Sequence, residues 1–166
     1  MENKKECNEE SLEKLKANYA ILQKKHSLPE FEKLSEDFEI EKLVEKESIF
    51  LLRDISKVMF EKILSYLRLI ENIINPSAPS IFIYLMLKNV NEDDKKVLNE
   101  IYRKLSKIEL NLMKVDLVHN EEKEAEFIKN THTEWNSSKI RILELVKKFE
   151  KGFDENSETA RKNYFG

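Results

Sequence analysis

Between Phe50 and Asn75 the chain reads FLLRDISKVMFEKILSYLRLIENIIN. In this stretch Leu52, Ile55, Met59, Ile63, Tyr66, Ile70 and Ile73 recur at steps of three and four, the period of one face of an α-helix. Phe60, Leu64 and Leu67 add a second apolar ridge, leaving only Lys57, Glu61, Ser65, Arg68 and Asn72 as a narrow strip for water. A helix apolar around most of its girth is covered on several sides, so this segment is expected to be a central helix. Its start is read at Asp37, giving a helix over about 38–75.

The same beat continues on either side. Leu12, Leu15, Tyr19, Leu22 and His26 form an earlier stripe behind Ser11 as N-cap. Ser27 and Glu30 have capping-box spacing around Pro29, which predicts a short second helix with Phe31, Leu34 and Phe38 inward. Beyond the proline-bearing loop Asn75–Ser80, Ser80 can cap a short buried helix through Leu87. Asn91 followed by Glu92, Asp93 and Asp94 marks a helix start, because anions in the first turn favour the macrodipole. Val97, Ile101, Leu105, Ile108, Leu112 and Val115 then lead to His119.

Asn120 with Glu121 and Glu122 suggests a new start, after which Ile128, Trp135, Ile142 and Phe149 repeat every seven residues, with Ala125, His132 and Val146 beside them. Thr131 and Glu134 could break this last segment, and Gly152 is placed to end it as a C′ residue. Three rods of similar length joined by short connections pack antiparallel, and the first helix supplies a fourth wall. The expected fold is therefore all-α: an up-and-down antiparallel bundle of four main helices with short accessory helices. It occupies residues 1–152 as one domain, followed by a polar, flexible tail over 153–166.

Composition removes most catalytic scaffolds. The 166 residues include only two glycines, Gly152 and Gly166, so a phosphate-cradling loop, a dinucleotide fingerprint or a nucleophile elbow has nowhere to form. The single cysteine, Cys7, excludes an internal disulfide and fits a reducing compartment. Charged residues make up 37% of the chain, 29 Lys+Arg against 32 Asp+Glu, the mixture of solvated helices rather than of a polyanion binder. The longest apolar run, Ile81–Leu87, is far short of the roughly 20 residues of a membrane-spanning helix, and no signal peptide is read. A cytoplasmic protein without a membrane partner is expected.

The candidate chemistry is thin. His26, His119 and His132 all fall on apolar stripes, and a metal-binding or hydrolytic bundle would draw on them, with Asp116 or Glu126 assisting. However, His119 and His132 lie about 18 Å apart along the helix axis, too far to share one ion at about 2 Å per ligand. A di-iron bundle wants two Glu-x-x-His pairs, and only Asp116-x-x-His119 comes near. Glu9, Glu10 and Glu13 match the first half of a pyrophosphohydrolase motif without its second half. No arginine has the histidine four to six residues on that marks HEPN-type ribonucleases. Lys147, Lys148, Lys151, Arg161 and Lys162 form the best basic cluster for a weak nucleic-acid contact. Accordingly, no residue is assigned a catalytic, cofactor-binding or metal-ligating role. The reading is a non-enzymatic bundle that binds a protein partner or a second copy of itself, with Ile81–Leu87 and Tyr164-Phe165 as candidate contact groups.

Three stretches, LPEFEKLSEDFEIE (Leu28–Glu41), FLLRDISKVM (Phe50–Met59) and EAEFIKNTHTEW (Glu124–Trp135), resemble a group of small all-helical archaeal proteins with no assigned activity. The resemblance covers the chain from the first helix to about Phe149 and lies in helix starts and core spacing. It implies an archaeal, cytoplasmic origin and no mechanism.

Overall fold

The computed structural model describes residues 2–45, 49–76, 83, 84, 86 and 90–164. Every element among them is helical: α1 (Glu2–His26), α2 (Phe31–Phe38), a 3-10 helix (Ile40–Glu45), α3 (Leu51–Ile74), α4 (Glu92–Val118) and α5 (Glu121–Tyr164).

The ends of these helices follow local chemistry, in places against expectation. Helix α1 starts at Glu2, so Ser11 is an interior residue and not its cap. It stops at Ser27, whose φ of 53° is left-handed, while the Leu28 N–H reaches back to the Gln23 carbonyl at 3.2 Å. That pair of features is a Schellman-type ending. Ser27 therefore closes α1 and does not box α2, where Glu30 sits at the N-cap without a side-chain bond to the helix backbone.

The long helix expected from Asp37 is also divided. Glu39 is left-handed (φ 56°), its N–H bonds the Ser35 carbonyl at 2.8 Å, and α3 begins only at Leu51. Phe38 and Ile40, on either side of the left-handed Glu39, are both buried.

Asn91 opens α4 as its sequence suggests. Its side-chain oxygen accepts the Asp94 N–H at 2.8 Å, and Asp94 accepts the Asn91 N–H in return at 3.2 Å. This is a capping box with aspartate in the usual glutamate place. His119 ends α4 in a left-handed conformation (φ 49°), and Asn120 caps α5 by accepting the Lys123 N–H at 3.0 Å. Helix α5 then runs without a break through Thr131, which is buried, and through Gly152 to Tyr164. The expected stop at Gly152 is overturned, and the break left open at Thr131 does not occur: the surrounding sequence is helix-forming, and one glycine costs a helix only about 1 kcal/mol.

The chain forms two compact units: Met1–Ile63 with Ile108–Thr133, and Leu64–Lys107 with Glu134–Gly166. In the first, α1 packs on α2 and on the 3-10 helix. Tyr19 joins them, its ring edge-on to Phe31 at 5.5 Å and its hydroxyl donating to the Pro29 carbonyl at 2.7 Å. Burial, helped by the Glu32 charge, pushes the Tyr19 phenol well above its ordinary pKa. Leu34, Ile55, Met59, Ile63 and Ile128 are sealed in this unit's interior.

In the second unit Ile70, Ile73, Leu98, Ile101, Leu105 and Trp135 are buried, and Tyr66 lies 5.1 Å from the Trp135 ring. Ion pairs Asp94–Lys148, Glu100–Arg141 (2.7 Å) and Lys104–Glu134 (3.3 Å) join rising positions on α4 to falling ones on α5, so these two stretches run antiparallel. The α3 stripe is buried as read, except that Tyr66 is half-exposed. Of the seven-residue stripe of α5, Ile128, Trp135 and Phe149 are buried and Ile142 is half-buried; Val146 beside it is exposed, whereas Leu145 is buried.

Candidate docking groove

Within the first unit, α1 contributes Asn18, Ile21 and Leu22 to a cleft of about 460 Å³. The entry into α3, Ile49–Arg53, forms a second wall, and His119, Glu121 and Glu124 complete the lining. The rim is apolar and open: Ile21 is 67% exposed, Ile49 90% and Phe50 59%. Large apolar side chains left this bare beside one another are what a contact surface offers.

Beneath the rim the charges are paired. Arg53 lies with its guanidinium carbon 4.9 Å from the centre of the Phe50 ring, a cation–π arrangement. Its Nε donates to Glu124 Oε1 at 3.2 Å, and the Glu124 side chain is almost entirely buried. Glu121 accepts from Lys25 Nζ at 3.0 Å and meets His26 Nε2 at 2.7 Å. The hydrogen bond with His26, then that with Lys25, holds the Glu121 carboxyl below the ordinary carboxylate range. Lys129 Nζ bonds the His26 carbonyl at 3.0 Å, satisfying a C-terminal oxygen of α1. The lining therefore combines a bare apolar rim with two carboxylates, Glu121 and Glu124, that already have cationic partners.

The three sequence histidines have separate fates. His26 is tied to Glu121, and His119 lines the cleft but is solvent-exposed at the α4–α5 corner, not packed on the α4 stripe. His132 is half-buried along α5 and lies outside the cleft lining. Asp116 is half-buried and Glu126 exposed. Among the described residues no three His, Cys, Asp or Glu side chains are grouped to hold a metal ion.

In the C-terminal basic cluster Lys147 and Lys151 are exposed, but Lys148 is taken by Asp94. The side chains of Arg161, Lys162 and Tyr164 lie outside the described residues, as do Ile81, Phe82, Leu85, Leu87 and Phe165. Of the apolar run, Ile83 and Met86 are buried and Tyr84 is half-exposed. Among the described residues, no helix is long and apolar enough to cross a membrane.

Sequence reading missed Arg53 and Glu124, 71 residues apart, because no local pattern links them. It also passed over Leu110, Met113 and Leu117, all exposed on α4. Their three–four spacing is visible in the sequence beside the stronger buried stripe. Compared with protein-family models, curated proteins and solved structures, the chain has no match.

Proposed function

We propose that the chain is a non-enzymatic helical module that works by protein–protein interaction, seating an apolar helical segment of a partner protein in the Ile21–Ile49–Phe50 cleft. The observation that carries this reading is the bare apolar rim above charges already paired with one another. An incoming segment need bring no compensating charge, so its apolar side chains at helical spacing supply the contact. The same reading takes the four main helices as an up-and-down antiparallel bundle, acting in the cytoplasm and akin to the small archaeal helical proteins its sequence resembles.

The test is selection of helical peptides from a displayed library on the intact protein, with counter-selection on a Phe50→Ala/Ile21→Lys variant. Enriched peptides should carry Leu, Phe, Met or Trp three and four residues apart and lose about tenfold or more in affinity on that variant. Enrichment indifferent to these two residues would overturn the proposal, as would a dominant anionic or nucleic-acid-like ligand preference mapped to Lys147 and Lys151.

A further inference from the structure

A second surface, separate from the cleft, lies on the outer side of α4. Leu110, Met113 and Leu117 are 57%, 59% and 84% exposed and stand at steps of three and four, on the side of the helix away from the buried Ile108 and Leu112. This is the spacing of a coiled-coil seam, with Leu110 and Leu117 in one kind of seam position and Met113 in the other. The residues flanking the seam differ in sign. Glu109 and Asp116 lie on one side, immediately before a seam leucine, and Lys114 lies on the other, immediately after Met113.

That asymmetry selects both the occupant and its direction. When two identical helices pair in parallel, the residue preceding one seam position meets the residue five places later on the other copy. Glu109 then faces Lys114 of the second copy, and Lys114 faces its Glu109, giving two opposite-charge pairs by symmetry. If the helices run antiparallel, each flank meets its own kind: Glu109 and Asp116 confront acidic residues, and Lys114 confronts Lys114. Like charges across such an interface are repulsive. We infer that a second copy of this chain docks on the outer face of α4, helix parallel to helix, through Leu110, Met113 and Leu117 with crossed Glu109–Lys114 pairs. A two-fold axis parallel to α4 satisfies the requirement that a twofold interface be self-complementary.

The test follows the mass of the full chain by sedimentation over a roughly hundred-fold concentration range, since dimerisation obeys mass action. The weight-average mass should climb from 19.8 kDa toward twice that value. Because all the substituted residues are at the surface or half-exposed, circular dichroism should show every variant as helical as the parent. Met113→Lys combined with Leu117→Lys should remain monomeric throughout. Glu109→Lys and Lys114→Glu should each weaken the dimer by about tenfold, and the two together should restore it. A chain that stays monomeric at all concentrations would overturn the inference. So would a dimer untouched by the seam variants, or a double charge reversal no better than either single.

Discussion

Arg53→Met is the perturbation that most directly probes the cleft floor. In the native chain the Glu124 side chain is 7% exposed and its Oε1 is bonded at 3.2 Å by Nε of Arg53, whose side chain is 23% exposed. Methionine keeps the stem of Arg53 and its packing while removing the charge, so a nearly buried carboxylate is left without its cation. Breaking a fully buried ion pair in this way costs about 3–5 kcal/mol, and the partial hydration of Arg53 moves the expectation just below that range, to about 2–3 kcal/mol. Loss of the contact with Phe50 adds about 0.5 kcal/mol. Glu124→Leu should cost less, about 1 kcal/mol, because Arg53 can turn its charge to water. The double variant should be less damaged than Arg53→Met alone, as a hydrophobic replacement of a buried pair often is. Urea unfolding at neutral pH, followed by far-ultraviolet dichroism, yields each free energy from its midpoint and slope. Additive single and double variants, or an Arg53→Met loss below about 0.5 kcal/mol, would refute the claim that this pair organises the floor.

Other expectations come from the helix faces and caps. Ile63→Ala, fully buried, should cost about 2–5 kcal/mol, whereas Lys57→Ala on the solvent strip should cost a few tenths, both read from urea melts. Asn91→Ala, which removes the acceptor for the Asp94 N–H, should cost about 1 kcal/mol by the same measurement. Ser138 is buried and its hydroxyl has no hydrogen-bond partner among the described residues, so Ser138→Ala should be neutral or stabilise by up to about 1 kcal/mol in a thermal melt. Glu121, held below its ordinary pKa chiefly by His26, binds fewer protons folded than unfolded as the pH falls through the carboxylate range. Its stabilisation is present above the unfolded value and is lost on acidification through the folded one, so wild type should lose more melting temperature than Glu121→Gln between pH 6 and pH 3.

The helical class, the buried face of α3 and the start of α4 were legible because each rests on spacing within a few turns. Ile55, Met59 and Ile63 repeat at a period that only one helix face satisfies, and Asn91 finds its reciprocal partner three residues on at Asp94. The boundaries that sequence misplaced depended on something beyond the local pattern. Ser27 has good N-cap chemistry, but the chain needs a left-handed residue there to leave α1. Gly152 has good stop chemistry, but nothing beside it prevents the helix from going on. His119 continues the α4 period and yet ends exposed, because the left-handed turn that frees α5 falls on it.

The cleft was hidden by the early start given to α3, at Asp37 rather than Leu51. On an unbroken helix from Phe38, Ile49 and Phe50 would be two more positions on a wheel already rich in apolar residues, with no reason to be singled out. The left-handed Glu39 and the 3-10 helix after it carry the chain away from helical continuation, so that it enters α3 at Leu51 with Leu51 and Leu52 buried while Ile49 and Phe50 remain outside. Arg53, one turn in, then comes within reach of both Phe50 and Glu124. The greasy rim is thus a consequence of where the helix starts. Residues just before a helix are not bound to its buried face, and two large apolar side chains left in that position are either a misplaced expense in hydration or a surface kept for contact.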